Sequence, residues 1–242
     1  MNGPVFGANV LEAHSEEVMF SAGGRPAKQG GGAVQKDEYG RLARIYDPLT
    51  APFLDPIRRS VARRARLAGC VRVLDICCGT GRQCLFLDRA GVEAAGVDSS
   101  SAMLAVARKR SPPAVAYFRQ DAVRLGFADN SFHGAVICLA LHEKPHEAQK
   151  AILREAARVL IPGGPLFLVD FVLPTGLAGR AVRLALAGVE RLAGREHYAR
   201  FRAYSARGGM TGLRAEMPFE PAGRERRFFV GNVELAVLTP SQ

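Results

Sequence analysis

The stretch Val71–Cys84, reading VRVLDICCGTGRQC, constrains this chain more than any other. A short, β-branched, apolar run ends in an acid, Asp75, and meets the tight turn Gly79-Thr80-Gly81 at once. The next residues, Gln83-Cys84-Leu85-Phe86-Leu87, have a helical pattern. A buried strand feeding a glycine turn and a helix marks the point where an open α/β sheet receives a nucleotide-like ligand. Glycine suits the turn because the backbone must reverse sharply and approach the ligand without a Cβ in the way. The motif sets the fold class; residues further along the chain select the ligand.

Downstream, strands and helices alternate. Strands are predicted at Glu93–Val97, Val115–Phe118, Gly134–Leu141 and Leu166–Phe171, with helices from Arg82 to Gly91, around Met103, Leu104 and Ala107, and from His146 to Leu160. The fourth strand is apolar throughout, as a strand buried on both faces must be. Such alternation predicts a parallel sheet wound on both sides. Two further helices, Leu177–Leu192 and Glu196–Arg207, precede the β-rich runs Arg227–Val230 and Val233–Leu238, whose Gly231-Asn232 junction fits an antiparallel hairpin. Ahead of the sheet, a helix over Leu42, Ile45 and Tyr46 is expected to stop at Pro48. A second is expected over Pro52–Ala68, with Phe53, Leu54, Ile57 and Val61 inward and Arg58, Arg59, Arg63, Arg64 and Arg66 on a solvated face. The glycine-punctuated residues 1–36 read as a disordered tail, leaving 37–242 as the domain.

Composition narrows the class. A 242-residue chain that is 48% hydrophobic can bury one sizeable core. No apolar run approaches the ~20 residues of a membrane span. Five cysteines, most in apolar stretches and without paired ligand spacing, fit a reducing compartment, so a cytoplasmic protein is expected. The net charge of +10 permits an anionic partner, including peripheral membrane contact through arginine-rich faces, but no nucleic-acid-binding appendage is visible.

Acids choose the ligand. Asp98 ends the second strand about twenty residues after the turn, the place of a ribose-binding carboxylate. Cys84 stands where a pyrophosphate fingerprint needs its third glycine. Asp75 beside the turn would repel a pyrophosphate yet suits the ammonium of a methionine moiety. Asp121 ends the third strand, placed to accept a hydrogen bond from an adenine amino group. The set points to S-adenosyl-L-methionine.

At these residues the chain resembles the class I S-adenosylmethionine-dependent methyltransferases. Val73–Gly81 looks like their motif I, Val97-Asp98-Ser99-Ser100 with Met103 like the ribose segment, Gln120-Asp121-Ala122 like the adenine segment, and Arg154–Gly164 like the helix leading to the fifth strand. The closest flavour is the ubiquinone/menaquinone methyltransferase-like group. One departure is Cys77, where the usual motif has its first glycine. The resemblance implies a Rossmann-like, doubly wound, mostly parallel seven-stranded sheet with a C-terminal antiparallel hairpin and an N-terminal helical cover. It also implies that Asp75, Gly79, Thr80 and Gly81 hold the methionine end. Asp98, Ser99 and Met103 would meet the ribose and adenine, and Asp121 and Ala122 the adenine edge. His142 and Glu143, after the fourth strand, would border the transferred methyl, with His142 the candidate base. Tyr39, Tyr46, Phe201 and Tyr204 would line the acceptor, a small or lipid-like molecule. Rival readings are an RNA or protein methyltransferase and a non-catalytic binding protein.

One pattern is set aside. His142-Glu143-Lys144-Pro145-His146 matches H-E-x-x-H, but that motif needs both histidines on one continuous helix, and Pro145 would break it. No metal is expected.

Overall fold

The computed structural model describes residues 46–192 and 194–241, and of Tyr46 and Leu49 the backbone only. The predicted tail 1–36, the helix around Leu42 and Ile45, and Tyr39 lie outside the described residues.

Five strands form the parallel part of the sheet: β1 (Arg72–Ile76), β2 (Glu93–Asp98), β3 (Ala116–Arg119), β4 (Gly134–Cys138) and β5 (Leu166–Phe171). Three more, β6 (Phe219–Pro221), β7 (Arg226–Phe228) and β8 (Val233–Pro240), close it. The order is β3-β2-β1-β4-β5-β8-β6, with β7 also on β8. All pairings from β3 to β5 are parallel, and those made by β8 are antiparallel. The expected hairpin is β7–β8. The sheet has eight strands rather than seven, because β6 spans three residues, too few for an alternating pattern to show.

The central strands carry their apolar runs for the predicted reason. Val73, Leu74 and Ile76 of β1, Ala135, Val136 and Ile137 of β4, and Leu166–Val169 of β5 are fully buried beneath helices on both faces. α2 (Arg82–Arg89), α3 (Ser101–Arg110) and α4 (His146–Val159) make the crossovers. Each Val, Leu or Ile so buried contributes roughly 1.5–3 kcal/mol. Sheet order reverses beside β1, where its neighbours β2 and β4 lead in opposite directions. At such a switch point, outside the carboxyl ends of the strands, open α/β sheets form their ligand crevice.

α1 (Tyr46–Leu67) departs from expectation. Pro48 sits in its first turn, where a missing N–H costs nothing, so it helps start the helix it was expected to stop. The helix also runs through Pro52 and Pro56. Leu54, Ile57 and Val61 face inward and Arg59, Arg63 and Arg66 outward as expected, but Phe53 is exposed and Arg58 is buried, 3.0 Å from Asp55. β4 is three residues shorter than predicted. Leu139 adopts φ 53° and the chain tightens into a 3₁₀ turn over Leu141–Glu143.

Two glycines fit around one ring. A Cβ on Gly96 would come within 2.8 Å of both Cys78 Sγ and Tyr117 Cδ1, and one on Gly81 within 2.2 Å of Tyr117 Oη. Tyr117 lies behind the turn, donating to the Gly81 carbonyl at 3.2 Å and sharing a 2.8 Å hydrogen bond with Ser111. Gly81 thus serves packing as well as its left-handed φ of 72°. Gly96→Ala is expected to destabilise the protein by about 1–3 kcal/mol through overpacking. Gly188→Ala, in a helix where a Cβ meets nothing within 4 Å, should instead stabilise it by about 0.5–1 kcal/mol. Urea melts of the two variants against the parent measure both.

Candidate active site

The cofactor end is organised by one carboxylate. Asp98 Oδ2 accepts the Gly79 N–H at 2.8 Å and Oδ1 accepts the Ser100 N–H at 2.8 Å. Asp98 thereby ties the β1 turn to the start of α3, and each oxygen keeps a lone pair for ribose hydroxyls. Ser100, not Ser99, caps α3, its Oγ accepting the Met103 N–H at 3.1 Å. Ser99 is exposed, and Met103 is buried beneath the helix start. Asp121 is exposed, with Oδ1 accepting the Val123 N–H at 3.1 Å, and Ala122 beside it is half-buried. The turn itself bends through Cys77, which holds φ 61° without being a glycine, and Gly79 at φ 54°. A left-handed backbone costs a side-chain-bearing residue roughly 1–2 kcal/mol, so Cys77 carries strain where the family pattern has glycine.

Two residues at this end are used differently from expectation. The Thr80 hydroxyl donates to buried Asp47 of α1 at 3.0 Å, so it clamps α1 onto the turn. Asp75 is buried under the turn and accepts from the Cys84 thiol at 3.5 Å. Burial is the main force lifting its carboxyl to about 7, partly offset by the Cys84 contact and by Arg58. Among the described residues no arginine or lysine closes to an ion pair on it. A cation arriving there would be welcome.

The residues present therefore fit S-adenosylmethionine. The outer face of Gly79 is open, since a Cβ there would meet nothing within 4 Å. Asp98 has free acceptor capacity, and Asp75 is a buried carboxylate awaiting positive charge.

The other end of the crevice is built around His142, in the 3₁₀ turn after β4. The ring is buried, and its Nδ1 lies 2.8 Å from Asp170 Oδ1. Asp170, at the end of β5, also accepts the backbone N–H groups of Leu141 at 3.0 Å, His142 at 3.3 Å and Phe171 at 2.8 Å. It is a fully buried acid with every approach satisfied. Burial disfavours the charged imidazole, but Asp170, Glu143 and Glu190 outweigh it and lift His142 to about 9. Phe171, Phe201 and Tyr204 wall the ring at centroid distances of 4.8, 6.1 and 6.4 Å. Phe201 and Tyr204 come from α6 (Arg195–Ala206), which packs on the 3₁₀ turn, with α5 (Gly176–Leu192) behind it. Between α5 and α6 lies a cavity of about 290 Å³ lined by Arg183, Leu184, Tyr198, Phe201 and Arg202.

His146, the second histidine of the set-aside motif, points elsewhere. It starts α4 and pairs with Glu216 at 3.1 Å. Sequence reasoning missed Asp170, Glu190 and His197. Asp170 left a trace, as the one acid inside an otherwise apolar strand; Glu190 and His197 left none.

Residues 73–164 match the family model described as a methyltransferase domain. Over residues 73–164 the fold, the site and the match are those of a class I S-adenosylmethionine-dependent methyltransferase domain, whose cofactor is S-adenosyl-L-methionine. Within that class the sequence is similar to demethylmenaquinone methyltransferases. It is 36% identical to the protein of Mycobacterium tuberculosis over 118 residues, 49% of this chain and 48% of that one. It is 40% identical to the protein of Corynebacterium kroppenstedtii over 103 residues, 43% of each. The chain thus spans about half the length of the curated relatives it matches. Solved structures share the fold: an O-methyltransferase family protein from Burkholderia thailandensis has a TM-score of 0.59 at 17% identity, covering 83% of this chain and 60% of that one. Magnesium protoporphyrin IX methyltransferase from Synechocystis gives 0.56 at 18% identity, covering 88% and 90%.

Asp75 sets a pH dependence of stability. Its folded value, about 7, is above the ordinary 3.8, so the neutral acid is the form the fold prefers. That contribution is complete below the unfolded value and is lost as pH rises through 7. Thermal melts from pH 5 to 8 should show Asp75→Asn gaining on the parent as pH rises. A constant difference across the range would contradict the assignment.

Proposed function

We propose that this protein transfers the methyl group of S-adenosylmethionine to a small or lipid-like acceptor, with an isoprenoid quinol as the leading class. The observation that carries this reading is the cavity between α5 and α6, where aromatic and aliphatic side chains meet Arg183 and Arg202, adjoining His142 through Phe201. The partial similarity to demethylmenaquinone methyltransferases supports the same acceptor class.

The bound cofactor supplies an electrophilic methyl on a sulfonium; the chain's own task is chiefly alignment, which can account for several kcal/mol of the barrier. Asp75, Gly79 and Asp98 hold the methionine and ribose ends, with Ser99, Met103, Asp121 and Ala122 around the adenosine. Thr80 acts through Asp47, keeping α1 against the turn. His142 and Glu143 face the acceptor. With its value raised to about 9, His142 presents an N–H at neutral pH, so its role is to donate a hydrogen bond to an acceptor oxygen and position it. Phe201 gives the acceptor its apolar wall, and Tyr204 backs the His142 ring.

Access for a lipid is supported by α5. Leu177, Leu184, Val189 and Leu192 are exposed on it beside the exposed Arg180 and Arg191. An apolar stripe rimmed by guanidinium groups suits peripheral contact with an anionic bilayer. Among the described residues no helix is long and apolar enough to cross a membrane. The five free cysteines suit a cytoplasmic place.

The test is calorimetry with S-adenosylmethionine, then transfer of radiolabelled methyl into quinone, phospholipid, small-molecule and RNA fractions. Label is expected in the quinone or lipid fraction; label in RNA alone overturns the reading. Asp98→Ala should weaken cofactor binding at least tenfold, since a charged hydrogen-bonding group is lost. His142→Asn should raise KM for the acceptor several-fold with a smaller change in kcat.

A further inference from the structure

A second arrangement shares His142. Glu190, near the end of α5, and His197, in the first turns of α6, fold back over the Gly194 junction toward the same ring. His142 Nε2 lies 3.7 Å from Glu190 Oε2, and Glu190 Oε2 is hydrogen-bonded to His197 Nε2. One donor atom from each of the three residues lies within 4.8 Å of the others. Glu143 Oε1 stands 3.9 Å from the same His142 nitrogen. Both carboxylate approaches to Nε2 are beyond hydrogen-bonding distance. The nitrogen is held in a buried ring, faces acids, and is bonded to neither.

We propose that His142, Glu190 and His197 form a binding site for one divalent transition-metal ion of the zinc class. Four observations converge on it. Donors at bond lengths of 2.0–2.1 Å from a tetrahedral zinc are roughly 3.3 Å apart: the 3.7 Å His142–Glu190 separation is near that spacing, and the Glu190–His197 hydrogen bond would open toward it as the ion enters. The far nitrogen of His142 is fixed on Asp170 at 2.8 Å, the carboxylate–histidine support that orients metal-bound imidazoles. Two imidazoles and a carboxylate favour zinc, iron(II) or nickel over magnesium or calcium, which take oxygen ligands. Finally, the carboxylates of Asp170, Glu190 and Glu143 all face the one imidazole, an arrangement of oxygen donors and ring nitrogen that suits a cation.

The site is not the H-E-x-x-H motif of the sequence. It uses the first histidine of that motif, but its partners come from α5 and α6, about fifty residues further along the chain. His146 takes no part.

The inference does not depend on the acceptor and is read without turnover. The full chain, stripped with a chelator, is titrated with Zn²⁺ by calorimetry and with Co²⁺ by visible absorption. One ion per chain is expected, with the intense visible bands of four-coordinate cobalt and no competition from equimolar Mg²⁺. His197→Ala and Glu190→Gln, both on the helical cover, should each weaken binding at least tenfold. His146→Ala should leave it unchanged. Circular dichroism melts without metal check that each variant is folded. No stoichiometric binding, an octahedral cobalt spectrum, or equal loss in His146→Ala would overturn the site.

Discussion

The carboxylate of Asp98 is the contact on which the cofactor end of this molecule depends. It is held at the end of β2 by parallel pairing with β1 and β3, and from there it receives the N–H groups of Gly79 and Ser100. Those groups belong to two chain segments that leave the sheet separately. One acid therefore sets the distance between the glycine turn and α3, and with it the width of the crevice. Thr80 and Asp47 add α1 to the same assembly, so three elements converge on five residues of turn.

Two buried acids show how differently a carboxylate can be accommodated. Asp170 is surrounded by three backbone N–H groups and an imidazole, so both of its oxygens are supplied with donors. Asp75 has a thiol, a weak donor, and is driven toward its neutral form by burial. The satisfied acid is a support, fixing His142. The poorly satisfied acid is left with a desolvation cost that a positively charged partner would relieve.

Where sequence and structure diverge, the cause is tertiary. The turn at Gly79–Gly81 and the strand Leu166–Phe171 could be read directly, because glycine freedom and apolar runs are local properties. Pro48 misled because proline both starts and stops helices, and only its neighbours decide which. Arg58 is buried despite its charge because Asp55, one turn earlier on α1, pairs with it, while Phe53 is left exposed. The predicted end of β4 failed at Leu139, an apolar residue in a left-handed turn that no propensity would place there.

The sequence by itself determined the fold class and the cofactor half of the site. Strand, turn and acid lie within a few residues of each other in β1 and at the ends of β2 and β3, so their spacing along the chain survives as spacing in space. The acceptor half was decided only by tertiary structure. His142, Asp170, Glu190 and His197 are spread over more than fifty residues, and they meet because β4 and β5 are neighbours and α5 and α6 fold back over their ends. Long-range packing leaves no periodicity in a sequence, and so Asp170, Glu190 and His197, the partners of His142, became visible only in three dimensions.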